Sequence, residues 1–188
     1  MNAFIVELYD HVGGGTPEKP LRIAGHVIKP QPNKWGCGPW SLRYCLLKWG
    51  VDIDPYEVAR HAMATRRGTT NRHLELAAMR LNVGAHYVIV PTIAGAKRHI
   101  DEALARGEAL IFNVNGADGG GHWIACLARD RRGYLILDPS PYEPVVQLHG
   151  WQWLKDELKR SNDRDPPLAD GAFRSDIISI SGPVHQHR

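Results

Sequence analysis

The sequence predicts an α+β protein in which a helical part comes first and an antiparallel sheet follows. Between residues 37 and 82 apolar residues recur at helical spacing. Leu42, Cys45 and Leu46, for example, fall on one side of a helix. From residue 86 to residue 139 the pattern changes to short apolar runs that are typical of strands. This order of elements favours two packed lobes.

Turn and cap residues set the boundaries of the predicted elements. Asp54 is a typical N-cap with Pro55 at the first helical position, and Gly107 is a typical helix end. The predicted helices are 37–49, 55–64, 72–82, 94–107 and one within 147–160. The predicted strands are 3–9, 21–28, 86–90, 108–114, 122–129 and 133–139, with a candidate edge strand at 175–181.

Composition and charge exclude several classes of protein. The chain has 188 residues, 43% of them hydrophobic and 23% charged, which suits one globular domain. It has no apolar run of about 18 residues, so neither a membrane span nor a membrane partner is expected. The net charge of +3 is far from the clustered basic surface of a nucleic-acid-binding protein. The N-terminus lacks the basic flank of a secretory signal, so a cytoplasmic location is expected.

The cysteines point to one reactive residue. Cys37, Cys45 and Cys126 are widely spaced and odd in number, which predicts neither a disulfide framework nor a zinc site. No metal or cofactor is therefore expected. Cys45 lies inside a predicted helix and Cys126 inside an apolar strand, so both are expected in the core. Cys37 stands where a loop becomes a helix, and a helix N-terminus favours the nucleophilic thiolate.

A neighbouring imidazolium would favour the thiolate further, and His122 is the histidine best placed to supply one. It follows the loop at 117–121 and begins a predicted strand. The next strand is its hairpin partner, so antiparallel pairing brings Asp138, at the far end of that strand, beside His122. A carboxylate there would orient the imidazole and support its charge. An acid before Pro139 is also compatible with a simple strand stop.

Four blocks, taken in order, resemble the papain-like cysteine peptidases, and most closely the double-glycine leader peptidases that precede bacteriocin exporters. Gln31 stands six positions before Cys37, the spacing of the oxyanion-hole glutamine in papain-like enzymes. CGPWSLRYCLLKWGV resembles the family's Cys-Gly-x-x-x-Leu helix, and GTTNRHLELAAMRLNV resembles its third helix, which starts at Gly-Thr. GHWIACLARDRRGYLILDPS resembles its Gly-His strand and Asp-Pro strand end. The resemblance covers residues 26–140.

The resemblance implies a papain-like two-lobe fold, with an N-terminal helical lobe packed against a C-terminal antiparallel sheet. It also implies roles for four residues. Cys37 would be the nucleophile, His122 the base and then the acid, Asp138 the residue that orients the imidazole, and Gln31 the donor to the oxyanion.

No exporter sequence follows the matched blocks, so a stand-alone domain is expected. We expect a single domain over residues 1–188 with its core at about 26–160, an N-terminal arm at 1–25 and a C-terminal tail at 161–188.

Two residues beside the cysteine depart from the family's pattern. Gly36 stands where many of these peptidases carry Asp, and Trp40 is bulkier than the usual small residue. The substrate groove is therefore expected to differ from that of the family. The residues expected to line it are Gly36, Gly38, Trp40, Gly120 and Gly121. Such a groove is compatible with a small-residue or Gly-Gly substrate, although glycines also simply form loops.

The sequence thus predicts a thiol hydrolase, and first of all a cysteine peptidase that acts on a peptide or protein. An amidase, a deamidase or an acyl transferase would use the same site, because the fold does not fix the acceptor. A non-catalytic binding module of the same fold is a further alternative. It is disfavoured because Gln31, Cys37, His122 and Asp138 are all present.

Overall fold

The five predicted helices are present, and the second begins at its predicted cap residue. The structure, a computed structural model, describes residues 22–115, 121–141, 145–160 and 173–184. Its helices are α1 (Cys37–Lys48), α2 (Pro55–His61), α3 (Asn71–Arg80), α4 (Ile93–Ala105) and α5 (Trp151–Arg160). The Asp54 carboxylate accepts from the Tyr56 N–H at 2.8 Å and so caps α2. No helix within the described ranges is long and apolar enough to cross a membrane.

The strands of the second half form one antiparallel sheet. In chain order the strands are β1 (Arg22–Ile23), β2 (His26–Val27), β3 (Val83–Val90), β4 (Ala109–Asn115), β5 (Gly121–Asp130), β6 (Gly133–Leu137), β7 (Val146–His149) and β8 (Ser175–Pro183). The six strands from β3 to β8 lie side by side in the order β3-β8-β4-β5-β6-β7. The short strands β1 and β2 pair only with each other.

Two strand predictions are wrong, and one strand was not predicted. The segment 175–181 is not an edge strand, because β8 pairs with β3 on one side and β4 on the other. Its isoleucines are buried against both layers of helices, as in an interior strand. Within the predicted strand 21–28, residues 22–27 form a tight hairpin, since Ala24 and Gly25 both have positive φ angles, of 49° and 85°. The four residues of β7 are too few to give a pattern. The predicted strand at 3–9 lies outside the described residues.

Helices cover both faces of the sheet, which therefore separates two apolar clusters. Helices α1, α2 and α3 pack on one face with Ala109 and Ile111 of β4. Helices α4 and α5 pack on the other face with Leu110 and Phe112 of the same strand. This alternation follows from the two-residue period of a strand. It also explains why the strand sequences are apolar at almost every position.

Helix α1 lies at the centre of the molecule. The sequence pattern predicts one buried stripe, but ten of the helix's residues are buried. The reason is that α1 contacts β4 and β5 on one side and α2 and α3 on the others. The hydroxyl of Tyr44 also donates to the Lys29 carbonyl at 2.7 Å, which ties the incoming chain to the helix. The N-terminus of α1 is therefore held in a fixed position relative to the sheet.

The turn between β5 and β6 closes the hairpin that the sequence predicts, and it ends at a glycine. The Asp130 carboxylate accepts from the Arg132 N–H at 2.7 Å. Gly133 follows with φ of 145°, and a Cβ at this position would lie 2.5 Å from the His149 carbonyl oxygen. Only glycine fits there, because β7 passes directly over it.

The β5–β6 hairpin contains one irregularity. Ala128 pairs with Leu135, whereas Cys126 pairs with Ile136. Leu127 is thus an extra residue in β5, which makes a β-bulge. Beyond the bulge the ladder continues toward the start of β5 and the end of β6, where two of the predicted site residues lie.

Candidate active site

Cys37 is the first residue of helix α1, as its sequence context predicts. Gly36 is the N-cap, and the described structure has neither a capping side chain nor an acidic residue in the first turn. The N–H groups of this turn are therefore not occupied by a local side chain, and the positive end of the helix dipole is not neutralised locally. Such a helix start favours an anion, either a thiolate or the oxyanion of an intermediate.

Strand β5 is hydrogen-bonded to helix α1 close to Cys37. The Ser41 hydroxyl, one turn after Cys37, donates to the Trp123 carbonyl at 2.9 Å and is buried. The indole N–H of Trp123 donates to the Thr69 carbonyl at 3.3 Å. Since Trp123 follows His122 directly, these bonds fix the position of His122 relative to Cys37. Ser41 and Trp123 were not among the predicted site residues, and the only sequence signal was a polar residue within an apolar helix.

His122 and Asp138 are in contact. The ring Nε2–H donates to Asp138 Oδ1 at 2.6 Å, and the two side chains are only 14% and 15% exposed. The contact predicted from the hairpin is therefore confirmed. The same carboxylate oxygen accepts from the Ser140 N–H at 2.7 Å, which holds the carboxylate in place. With Nε2 bonded to Asp138, Nδ1 is the ring nitrogen left for the Cys37 side chain.

The electrostatics of the site favour a charged imidazole. Burial lowers the pKa of His122, but the hydrogen bond to Asp138 and the interaction with the Cys37 side chain outweigh it and raise the pKa to about 9. At neutral pH His122 is then an imidazolium. An imidazolium beside the sulfur at a helix start is the environment in which a cysteine becomes a nucleophile.

Gln31 is held at the same end of the sheet. Its backbone N–H donates to the Pro139 carbonyl at 2.7 Å, so the loop before α1 is attached to the residue that follows Asp138. Its side-chain Nε2 donates to the Asn33 carbonyl at 2.5 Å, which fixes the amide. Gln31 is buried, and its Oε1 accepts no hydrogen bond from the described residues. The hydrogen bond to Asn33 uses one Nε2–H and leaves the second one for another acceptor.

The other two cysteines lie in the core, as predicted. Cys45 and Cys126 have no exposed surface, whereas Cys37 is 6% exposed. Burial raises the pKa of both core thiols, to about 12 for Cys126. Thiols in this state are poor nucleophiles, so only Cys37 is placed to react.

The residues expected to line the groove are mostly buried. Gly38 faces Thr69, since a Cβ on Gly38 would lie 2.4 Å from its Cγ2, and this glycine therefore has a packing role. Trp40 is buried and meets the ring of Tyr56 edge to face at 5.3 Å. Gly121 is exposed at the start of β5, and Gly120 lies outside the described residues. Contact of these residues with substrate stays a prediction.

The two departures from the family pattern are structurally coupled. A Cβ on Gly36 would lie 3.0 Å from Cε3 of Trp40 and 3.1 Å from Oδ1 of Asn33. The large indole therefore occupies the space that a side chain at position 36 would need. The lack of a side chain at Gly36 thus compensates for the large side chain of Trp40.

Comparisons with known proteins identify the fold. No family model and no curated protein matches the sequence, but solved structures match over most of the chain. The peptidase domain of Streptococcus ComA, a bifunctional ABC transporter, is 14% identical, with a TM-score of 0.58 over 81% of this chain and 96% of that one. The peptidase domain of Streptococcus mutans ComA is 13% identical, with a TM-score of 0.52 over 82% of this chain and 98% of that one.

A third structure is a double-glycine-motif protease from an AMS/PCAT transporter, solved in complex with its leader peptide. It is 14% identical, with a TM-score of 0.56 over 84% of this chain and 91% of that one. The chain has the fold of these peptidase domains. The papain-like fold predicted from the sequence, and its likeness to double-glycine leader peptidases, are therefore confirmed at the level of fold.

Selective alkylation tests the distinction among the three cysteines. Iodoacetamide at neutral pH should modify Cys37 well before Cys45 or Cys126 in the folded protein, because the other two thiols are buried and protonated. Mass mapping of the labelled peptides measures the order, and the Cys37→Ser variant serves as the control. Equal labelling of all three cysteines would contradict the assignment.

The charge on His122 predicts a pH-dependent contribution to stability. The pKa of His122 in the folded protein, about 9, lies above the ordinary 6.5. Between pH 6.5 and pH 9 the folded protein therefore binds a proton that the unfolded chain has lost. The contribution, roughly 3 kcal/mol at about 1.4 kcal/mol per pKa unit, is full below pH 6.5 and is lost as pH rises through 9. The free energies of unfolding of wild type and His122→Asn, measured in urea, should therefore approach each other as pH rises toward 10.

A matched control for that measurement is His149→Asn. Burial lowers the pKa of His149. Its contribution to the free energy of unfolding therefore changes below pH 6.5 rather than above it. A difference between wild type and His122→Asn that stays constant from pH 6 to pH 10 would show that His122 is not charged in the folded protein.

A double-mutant cycle tests the coupling of Gly36 with Trp40. Gly36→Ala should destabilise the protein by about 1–3 kcal/mol, as overpacking does, and most of this cost should vanish in a Trp40→Ala background. Urea unfolding gives the four free energies. Gly150→Ala is a suitable control, because a Cβ there meets no described atom within 4 Å. An equal cost of Gly36→Ala in both backgrounds would mean that the two positions are independent.

Proposed function

We propose that the protein is a papain-like thiol hydrolase, and specifically a cysteine peptidase, with Cys37 as nucleophile. The observation that carries the proposal is the hydrogen bond of 2.6 Å between His122 and Asp138, with the same ring interacting with Cys37 at the start of α1. The fold shared with peptidase domains supports it.

In the proposed reaction each of the four site residues has one role. The Cys37 sulfur attacks the carbonyl carbon of a peptide bond, and the carbonyl oxygen becomes an oxyanion. The Cys37 N–H, at the start of the helix, and the Gln31 amide donate to that oxygen. The His122 imidazolium gives its Nδ1 proton to the leaving amine, which breaks the peptide bond and leaves a thioester.

The second half of the reaction regenerates the enzyme. The His122 imidazole, now neutral, takes a proton from water, and the resulting hydroxide attacks the thioester carbonyl. Collapse of this intermediate releases the acid product and the Cys37 sulfur. Throughout, Asp138 keeps the ring oriented through Nε2 and supports its positive charge.

The substrate is inferred to be an extended peptide with small residues before the cleaved bond. The matched double-glycine-motif protease was solved with a leader peptide bound, which supports a peptide substrate for this chain. Gly121, exposed at the start of β5 one residue before His122, leaves room for a peptide backbone to approach. Small side chains, such as those of a Gly-Gly pair, suit such an approach.

A peptide-library digest tests the peptidase proposal without a known substrate. Peptides from a whole-cell tryptic digest are incubated with the protein, and new amino termini are labelled and sequenced by mass spectrometry. Wild type should create new termini, mostly after Gly or other small residues, and Cys37→Ala should create none. Termini that are the same with both proteins, or absent with both, would refute the peptidase assignment.

The Gln31→Ala and Asp138→Ala variants should differ in pattern as well as in severity. Gln31→Ala should leave iodoacetamide alkylation of Cys37 unchanged, since alkylation builds no oxyanion, but should slow peptide hydrolysis by roughly 10²-fold or more. Asp138→Ala should slow both reactions, because an unsupported imidazolium favours the thiolate less. Both rates are measured on each variant, with a peptide found in the library. Hydrolysis by Gln31→Ala at the wild-type rate would leave the glutamine as a loop residue only.

A further inference from the structure

The bulge in β5 has a consequence for the triad that the hairpin alone does not explain. Starting from the turn, a regular ladder would pair Ala125 with Asp138. In the structure Ala125 pairs with Leu137 instead, because Leu127 is an extra residue. The bulge therefore shifts the end of β6 by one residue relative to the start of β5.

A shift of one residue exchanges the two faces of a strand. In the regular register Asp138 would share a face with Ala125 and Trp123, whose side chains pack against the α1 side of the sheet. With the bulge the last pair is Ala125 with Leu137, and the alternation of side chains beyond it puts Asp138 on the same face as Ile124 and His122. The contact of 2.6 Å between His122 and Asp138 depends on this register.

The Lys48 side chain contacts the bulged residue. The Lys48 ammonium, in the last turn of α1, donates to the Leu127 carbonyl at 2.8 Å and to the Glu108 carbonyl at 2.9 Å. Leu127 is the bulged residue, and Glu108 directly precedes β4. The ammonium thus bridges the two neighbouring strands just beyond Leu110 and Cys126, the last residues that pair between them on this side.

The surroundings of Lys48 show that this arrangement is specific. Lys48 is half-buried, and the main partners of its ammonium are two backbone carbonyls. A charged hydrogen bond to a carbonyl is stronger than a neutral one, and here it satisfies the carbonyl of the bulged residue just beyond the last β4–β5 pair.

We propose that Lys48 is a positioning residue for the active site, which holds the Leu127 bulge and thereby keeps Asp138 in register with His122. Helix α1 then serves the site at both ends, since it presents Cys37 at its start and fixes the β5–β6 register at its end. The inference rests on the proposed triad. Its test uses alkylation of Cys37, which needs no peptide substrate, so its failure is distinguishable from a failure of the peptidase proposal.

The decisive variants are Lys48→Met and a deletion of Leu127. Lys48→Met removes the ammonium at similar length and lets the hairpin return to the regular register. The iodoacetamide rate at Cys37, measured at pH 7 on folded protein, should fall about tenfold or more, toward the rate of Asp138→Ala.

Deleting Leu127 in the Lys48→Met background should restore most of the lost rate. The shortened strand pairs Ala128 with Leu135 and Cys126 with Ile136 without any bulge, so Asp138 is in register and no ammonium is needed. If Lys48 only stabilised the fold, removing the buried Leu127 as well would weaken the protein further and would rescue nothing.

Two controls accompany these variants. Lys48→Arg keeps a cation at the bulge and should keep the wild-type rate, as should Lys159→Met, which removes an exposed lysine from α5. Urea unfolding of each protein verifies that it is folded at pH 7.

A wild-type rate in folded Lys48→Met, or a loss that the deletion does not reverse, would overturn the proposal. If Lys48→Met alone does not fold, the double variant decides. A folded and reactive double variant supports the proposal, and an unfolded or unreactive one contradicts it.

Discussion

The hydrogen bond from His122 Nε2 to Asp138 Oδ1 is the interaction on which the rest of the site depends. It orients the ring so that Nδ1 is left for Cys37, and together with the interaction with Cys37 it outweighs the burial that lowers the pKa of the imidazole. The bond joins the start of one strand to the end of the next, so it depends on the register of a hairpin. Around it, Ser140 holds the carboxylate and Trp123 is tied to Ser41 of α1.

Much of this arrangement can be predicted from the sequence, because it depends on local signals. The parts of the candidate site are indicated by a cysteine at a loop-to-helix junction, a glutamine six positions earlier, and a Gly-His strand followed by an Asp-Pro strand end. Cap residues such as Asp54 fix the helix starts. Apolar runs indicate the sheet, and antiparallel topology places Asp138 near His122.

The rest could not be predicted, because it depends on contacts between distant residues. The extra residue at Leu127 leaves no mark in an apolar strand, yet it decides which face Asp138 occupies. Strand β8 is an interior strand because it pairs with both β3 and β4. Both partners are distant in sequence, so from the sequence alone this short segment near the end of the chain resembled an edge strand. The steric conflict between Trp40 and a side chain at position 36 likewise depends on a distance between atoms, and a sequence pattern does not contain distances.

The central claim is that His122 is a charged ring held by Asp138 beside Cys37, and an NMR titration of this ring tests it most directly. Nitrogen-15 labelling of histidine, with assignment by the His122→Asn variant, gives the protonation of both ring nitrogens from pH 5 to pH 10. The account predicts that His122 carries two protons at neutral pH and titrates near pH 9. A ring that is neutral at pH 7.5, or that titrates near the ordinary 6.5, would contradict it.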